Sequence, residues 1–105
     1  MSRIVTSFSG NPKTTTKYTS TNTAAALTKV DGCIGALITL ETNDIRFGFD
    51  ITPTGSGGAN LGHILSAGDS IKLMSGREVG DFRFVSKTAG SHGVLHVTQY
   101  TEKSD

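Results

Sequence analysis

The segment Ile45–Ile51, IRFGFDI, alternates apolar and polar residues over seven positions. A period of two is the pattern of a strand with one buried and one wet face. Ile45, Phe47, Phe49 and Ile51 are expected inward, with Arg46, Gly48 and Asp50 outward. Short pieces on either side extend this pattern. Cys33–Leu40 (CIGALITL) is the most apolar of them and reads as a central strand, with Ile34, Ala36, Ile38 and Leu40 on one face and Leu37 on the other. Ser70–Met74 turns Ile71 and Leu73 inward, and Phe82–Ser86 sets Phe82 and Phe84 opposite Arg83. Val94–Thr101 sets Leu95, Val97 and Gln99 opposite His96, Thr98 and Tyr100. Ala24–Val30 reads as a short strand before the Asp31–Gly32 turn, and Leu61–Leu65 is a further apolar piece. No ten-residue amphipathic helix separates the strands, which excludes a βαβ architecture. The expectation is one all-β domain over residues 24–101, a small antiparallel β-sandwich or jelly-roll variant. Phe47, Phe49, Leu73, Phe82, Phe84 and Val97 are its expected core.

The stretch Gly10–Thr23, GNPKTTTKYTSTNT, contains one aromatic residue and no aliphatic one. Having so little to bury, residues 1–23 read as an extended Thr-rich arm, ordered by contact with a neighbour. Thr52–Asn60 is the principal loop, and its insert Gly55–Asn60 is rich in glycine. The charged tail 102–105 is expected to fray.

Polarity in this chain comes mainly from hydroxyls and glycine, since Thr, Ser and Gly number 15, 11 and 13 among 105 residues. That balance is unlike a helical bundle or a charge-driven disordered chain. Ten basic and nine acidic side chains leave a formal charge of +1, so bulk electrostatics provide no drive toward nucleic acid or an anionic membrane. The balance is uneven: residues 1–30 carry Arg3, Lys13, Lys17 and Lys29 with no acid. Cys33 is the sole cysteine and reads as a buried thiol acting as a small hydrophobe. No apolar run reaches the length of a membrane span, and MSRIVTSFSG lacks the apolar core of a secretory signal. Synthesis and folding in a reducing cytoplasm are therefore expected.

The residues that carry chemistry do not fall into a recognised spacing. The Gly55–Gly57 piece lies in a long loop with no helix after it, unlike a nucleophile elbow. His63, His92 and His96 have no partner arrangement in the sequence. His92 and His96 enter a strand, where four residues of separation place them about 13 Å apart. Asp44 and Asp50 flank an apolar strand and do not make a calcium loop. Gly55, Gly57 and Gly58 depart from the dinucleotide pattern at Asn60. The chain is therefore expected to be non-enzymatic, with no catalytic, cofactor-binding or metal-ligating residue assigned. The phenylalanines are expected in the core and not as a nucleic-acid stacking platform. Arg46 and Arg83 are expected to meet acids of the same sheet or of a neighbouring subunit. A carbohydrate- or receptor-binding module is the alternative, relying on Tyr18 and Tyr100 as exposed aromatics.

Ile45–Met74, IRFGFDITPTGSGGANLGHILSAGDSIKLM, resembles small β-sandwich structural proteins of tailed-bacteriophage virions. The shared outline is an aromatic strand, a Thr-Pro-Thr loop, a Gly-His-hydrophobic turn (Gly62–Leu65) and an Ala-Gly-Asp turn into an apolar strand. DFRFV at 81–85 and LHVT at 95–98 continue it, so the likeness spans about residues 34–101. The insert Gly55–Asn60 departs from the outline. The resemblance implies a non-enzymatic role in the virion: capsid decoration, an auxiliary head protein, or a connector or tail accessory. The implied partner is the major capsid protein or another virion protein. Self-association is expected, with a trimer as the expected oligomer.

Overall fold

The computed structural model describes residues 10–55 and 61–102. The first nine residues, the loop insert beyond Gly55 and the charged tail beyond Glu102 lie outside the described residues. The chain forms strands β1 (Asn11–Pro12), β2 (Thr16–Thr19), β3 (Ala25–Ala26), β4 (Cys33–Glu41) and β5 (Ile45–Phe49). It continues through β6 (His63–Leu65), β7 (Ser70–Leu73), a short helix α1 (Gly76–Asp81), β8 (Phe82–Ser86) and β9 (Val94–Thr101).

Two antiparallel sheets result. One runs β1-β9-β4-β7, with β2 also paired to β9, and the other runs β3-β8-β5-β6. The hydrogen-bonded pairs β2–β9, β3–β8, β4–β7 and β5–β6 nest inside one another along the sequence. A long antiparallel ribbon wound on itself gives this nesting, so the all-β sandwich has jelly-roll order.

The core lies between the sheets. Ile38, Leu40, Leu95 and Val97 from one sheet face Ile45, Phe47, Phe82 and Phe84 from the other. Phe47 and Phe82 stack with ring centroids 5.5 Å apart. Helix α1 closes one end by burying Val79. Ser75 caps it, its hydroxyl accepting the Glu78 N–H at 3.1 Å, while the Glu78 carboxylate accepts the Met74 N–H at 2.7 Å. The Ser75 hydroxyl thereby satisfies a backbone donor that the first turn leaves unpaired, and Glu78 reaches back to the residue before the cap.

The structure corrects several expectations about these elements. The stretch 10–23 is not detached, because β1 and β2 pair along β9, with Thr16 opposite Val97 and Thr19 opposite Val94. Its lack of aliphatic residues is offset by ladder bonding and by two inward positions, Tyr18 and Ser20. The Tyr18 ring meets Phe84 of the other sheet edge-on at 6.1 Å. Phe49 and Ile51, both expected inward, are 37% and 39% exposed, because β5 ends at Phe49 and Asp50 turns the chain at φ +54°. Ile34 leaves the inward phase, since a register shift between Cys33 and Gly35 moves it out of step with Ala36. The strand expected over Ala24–Val30 shrinks to Ala25–Ala26. There the buried Gln99 amide replaces ladder bonds, accepting from Val30 N–H at 2.9 Å and donating to the Thr28 carbonyl at 2.7 Å.

Candidate functional site

The outer faces of the two sheets differ. On the four-stranded sheet, Val85 occupies an outward position yet is 1% exposed, because the chain after β5 folds back over that face. Ile51 occupies the space beside Gly48, and Pro53 is fully buried with its Cβ against Gly62. Gly62 sits at φ +123°, which L side chains rarely adopt, and a Cβ there would meet the Phe47 carbonyl at 3.0 Å. Arg46 secures this cover by donating to the Gly62 carbonyl at 3.0 Å. Arg83 likewise donates to the carbonyls of Gly80 and Phe82. The arginines thus bind backbone carbonyls and, among the described residues, pair with no acid of the same sheet.

The five-stranded sheet keeps a polar outer face. Lys17, His96, Thr39 and Ser70 form a row across four strands, each opposite the next. Glu41 lies beside it with a carboxylate oxygen 3.5 Å from His96 Nε2. Thr98 and Leu37 form the neighbouring row, and the Thr98 hydroxyl hydrogen-bonds Thr15 at 2.6 Å. Lys17, Thr39, Glu41 and Ser70 are exposed.

The structure separates the three histidines by role. His63 packs on the Phe47 ring, His96 pairs with Glu41, and His92 enters a hydrogen-bonded chain that the sequence did not disclose. Its Nδ1 lies 2.7 Å from Ser86 Oγ, which lies 2.7 Å from Ser20 Oγ, which accepts the Gly93 N–H at 2.8 Å. Ser20 and Ser86 are 0% and 2% exposed, so neither hydroxyl meets solvent; the chain ties both sheets together at one end. Cys33 is buried, as expected of a small hydrophobe. Among the described residues no group of three His, Cys, Asp or Glu side chains is placed to hold a metal ion. No helix among them is long and apolar enough to cross a membrane. Tyr18, expected as an exposed aromatic, is half-buried, with its hydroxyl accepting the Thr28 N–H at 3.0 Å.

Two turns meet at the end of the sandwich that holds His92. Thr42, Asn43 and Asp44 connect β4 to β5, while Lys87, Thr88 and Ser91 belong to the connection from β8 to β9. Together they line an open polar cleft of about 190 Å³. Gly93 allows the approach, because a Cβ there would meet the Asn43 carbonyl at 2.4 Å. The walls are braced: Asn43 Nδ2 donates to the His92 carbonyl at 3.0 Å, and Asp44 Oδ1 accepts the Ala67 N–H at 2.8 Å. Lys87 N–H donates to the Asp44 carbonyl at 3.2 Å.

Comparison with family models, curated proteins and solved structures finds no match to this chain.

Proposed function

We propose that the chain is a non-enzymatic structural subunit of a tailed-phage virion, decorating the capsid by docking on the major capsid protein. The observation that carries this reading is the inequality of the two outer faces. One sheet is covered by its own chain at Ile51, Pro53 and Gly62, whereas the other offers a polar row, Lys17, His96, Thr39 and Ser70. A domain whose polar outer row is exposed at Lys17, Thr39 and Ser70 suits repeated docking on a lattice, where many modest contacts add up. The resemblance over residues 34–101 points the same way. By analogy of fold alone, jelly rolls recur in viral capsid and lectin domains.

Intact particles, analysed by mass spectrometry with copy counting and imaged by electron microscopy, test the reading. On the order of tens to hundreds of copies on the head is the expected result, since a symmetric shell repeats its docking site. Absence from the particle overturns it. Sedimentation tests the accompanying trimer, which requires three times the 11.0 kDa chain mass.

A further inference from the structure

We infer that the cleft between the two end turns binds a neutral polyhydroxylated ligand, a saccharide ring. This goes beyond the virion reading and does not depend on it.

The lining has the composition that such a ligand requires. Thr42, Thr88 and Ser91 supply hydroxyls that both donate and accept, Asn43 an amide, Asp44 a carboxylate that accepts and Lys87 an ammonium that donates. The charges oppose each other within one cleft. A bound anion would face Asp44 and a bound cation would face Lys87, whereas adjacent sugar hydroxyls donate to the carboxylate and accept from the ammonium. Lys87 is half-buried, yet its ammonium makes no ion pair or hydrogen bond among the described residues. The hydroxyls of Thr42, Thr88 and Ser91 are likewise uncommitted among those residues. Asn43 and Asp44 each commit one polar side-chain atom to bracing the walls and keep the other for a ligand, so little ordering remains to oppose binding.

A second observation marks the same place. Thr42 adopts φ +83°, and Asn43 N–H bonds the Glu41 carbonyl across it at 3.1 Å, a γ-turn at a β-branched residue. Such a turn is strained and persists only where the surroundings hold it. Here it carries the Thr42 side chain to the cleft.

The test is a heteronuclear NMR titration of the full chain with a panel of neutral mono- and disaccharides at millimolar concentration. The expected result is saturable shifts confined to residues 42–44 and 87–91 for at least one sugar. Lys87→Met and Thr88→Ala each leave the spectrum folded. Each weakens that sugar about tenfold, the value of one charge-assisted or buried hydrogen bond. Three results overturn the inference: no saturable shifts with any sugar, shifts centred elsewhere, or larger shifts of the same residues with acetate, phosphate or calcium than with any sugar. The readout uses isolated protein, so its failure is distinct from absence of the chain from virions.

Discussion

Ser86 Oγ and His92 Nδ1 lie 2.7 Å apart, and the rest of the chain decides which of them carries the proton. Ser20 Oγ already accepts the Gly93 N–H, and the Ser86 oxygen is the one acceptor for its own proton among the described residues. Ser86 then donates to Nδ1, which assigns His92 the Nε2–H tautomer. Nitrogen-15 shifts of the ring should report that tautomer, and a proton on Nδ1 would reverse the assigned direction of the chain. Ser86→Ala should cost about 1–3 kcal/mol, because it strands the buried Ser20 hydroxyl. Equal urea midpoints for variant and wild type would dismiss the tether.

Phe84 and Phe49 give a paired test of the core. Phe84 is 1% exposed and bridges the sheets, so Phe84→Ala should cost about 3–5 kcal/mol. Phe49→Ala, at the last residue of β5, should cost less than about half as much, since much of that side chain's surface stays wet. Comparable losses in chemical denaturation would put Phe49 back in the core.

The pairing of β2 with β9 predicts slow hydrogen exchange in the isolated protein. Ser20 N–H donates to the Gly93 carbonyl at 2.9 Å, and Thr16–Thr19 run in register with Val94–Val97. Laddered amides of this stretch should be protected together with those of β9. Exchange at solvent rates across Thr16–Ser20 would restore the detached arm.

Gly62 and Gly48 separate backbone strain from side-chain displacement in the cover over the four-stranded sheet. Gly62→Ala forces an L residue to φ +123° and should destabilise by about 1–3 kcal/mol. At Gly48 the obstacle is the end of the Ile51 side chain, which can move aside. Gly48→Ala should therefore speed proteolysis near Ile51 and shift the global midpoint less than Gly62→Ala does. The reverse ranking would mean that the cover is not seated as described.

Helix α1 gives a further check through its cap. Ser75→Ala should cost about 1 kcal/mol, as other lost N-caps do, measured by thermal or urea unfolding. No change would mean the hydroxyl is not needed at that turn.

Alternation made β5, β8 and β9 legible, because a half-buried strand writes its burial into the sequence. The inward set Leu95, Val97 and Gln99 is the observed one. The bulge at Cys33–Gly35 left no such mark, since both phases of CIGALITL are apolar and either suits a central strand. β2 was obscured for the opposite reason: its stability comes from ladder bonds and one tyrosine, neither of which shows as hydrophobic periodicity. The Ser75-x-x-Glu78 spacing is a capping-box signal that could have announced α1. The cleft and the Ser20–Ser86–His92 chain join residues up to 73 positions apart, and no local pattern encodes contacts of that kind.

The nested pairing has a consequence for how the protein is made. Strand β9 lies inside its sheet, between β4 on one side and β1 and β2 on the other. Until the ribosome has released residues 94–101, β1 and β2 have no partner, and β4 is paired only along its β7 side. The sheet therefore closes after translation of that segment, and such sequence-distant pairing folds slowly. A nascent chain halted before Val94 should expose its unpaired β4 edge to chaperones.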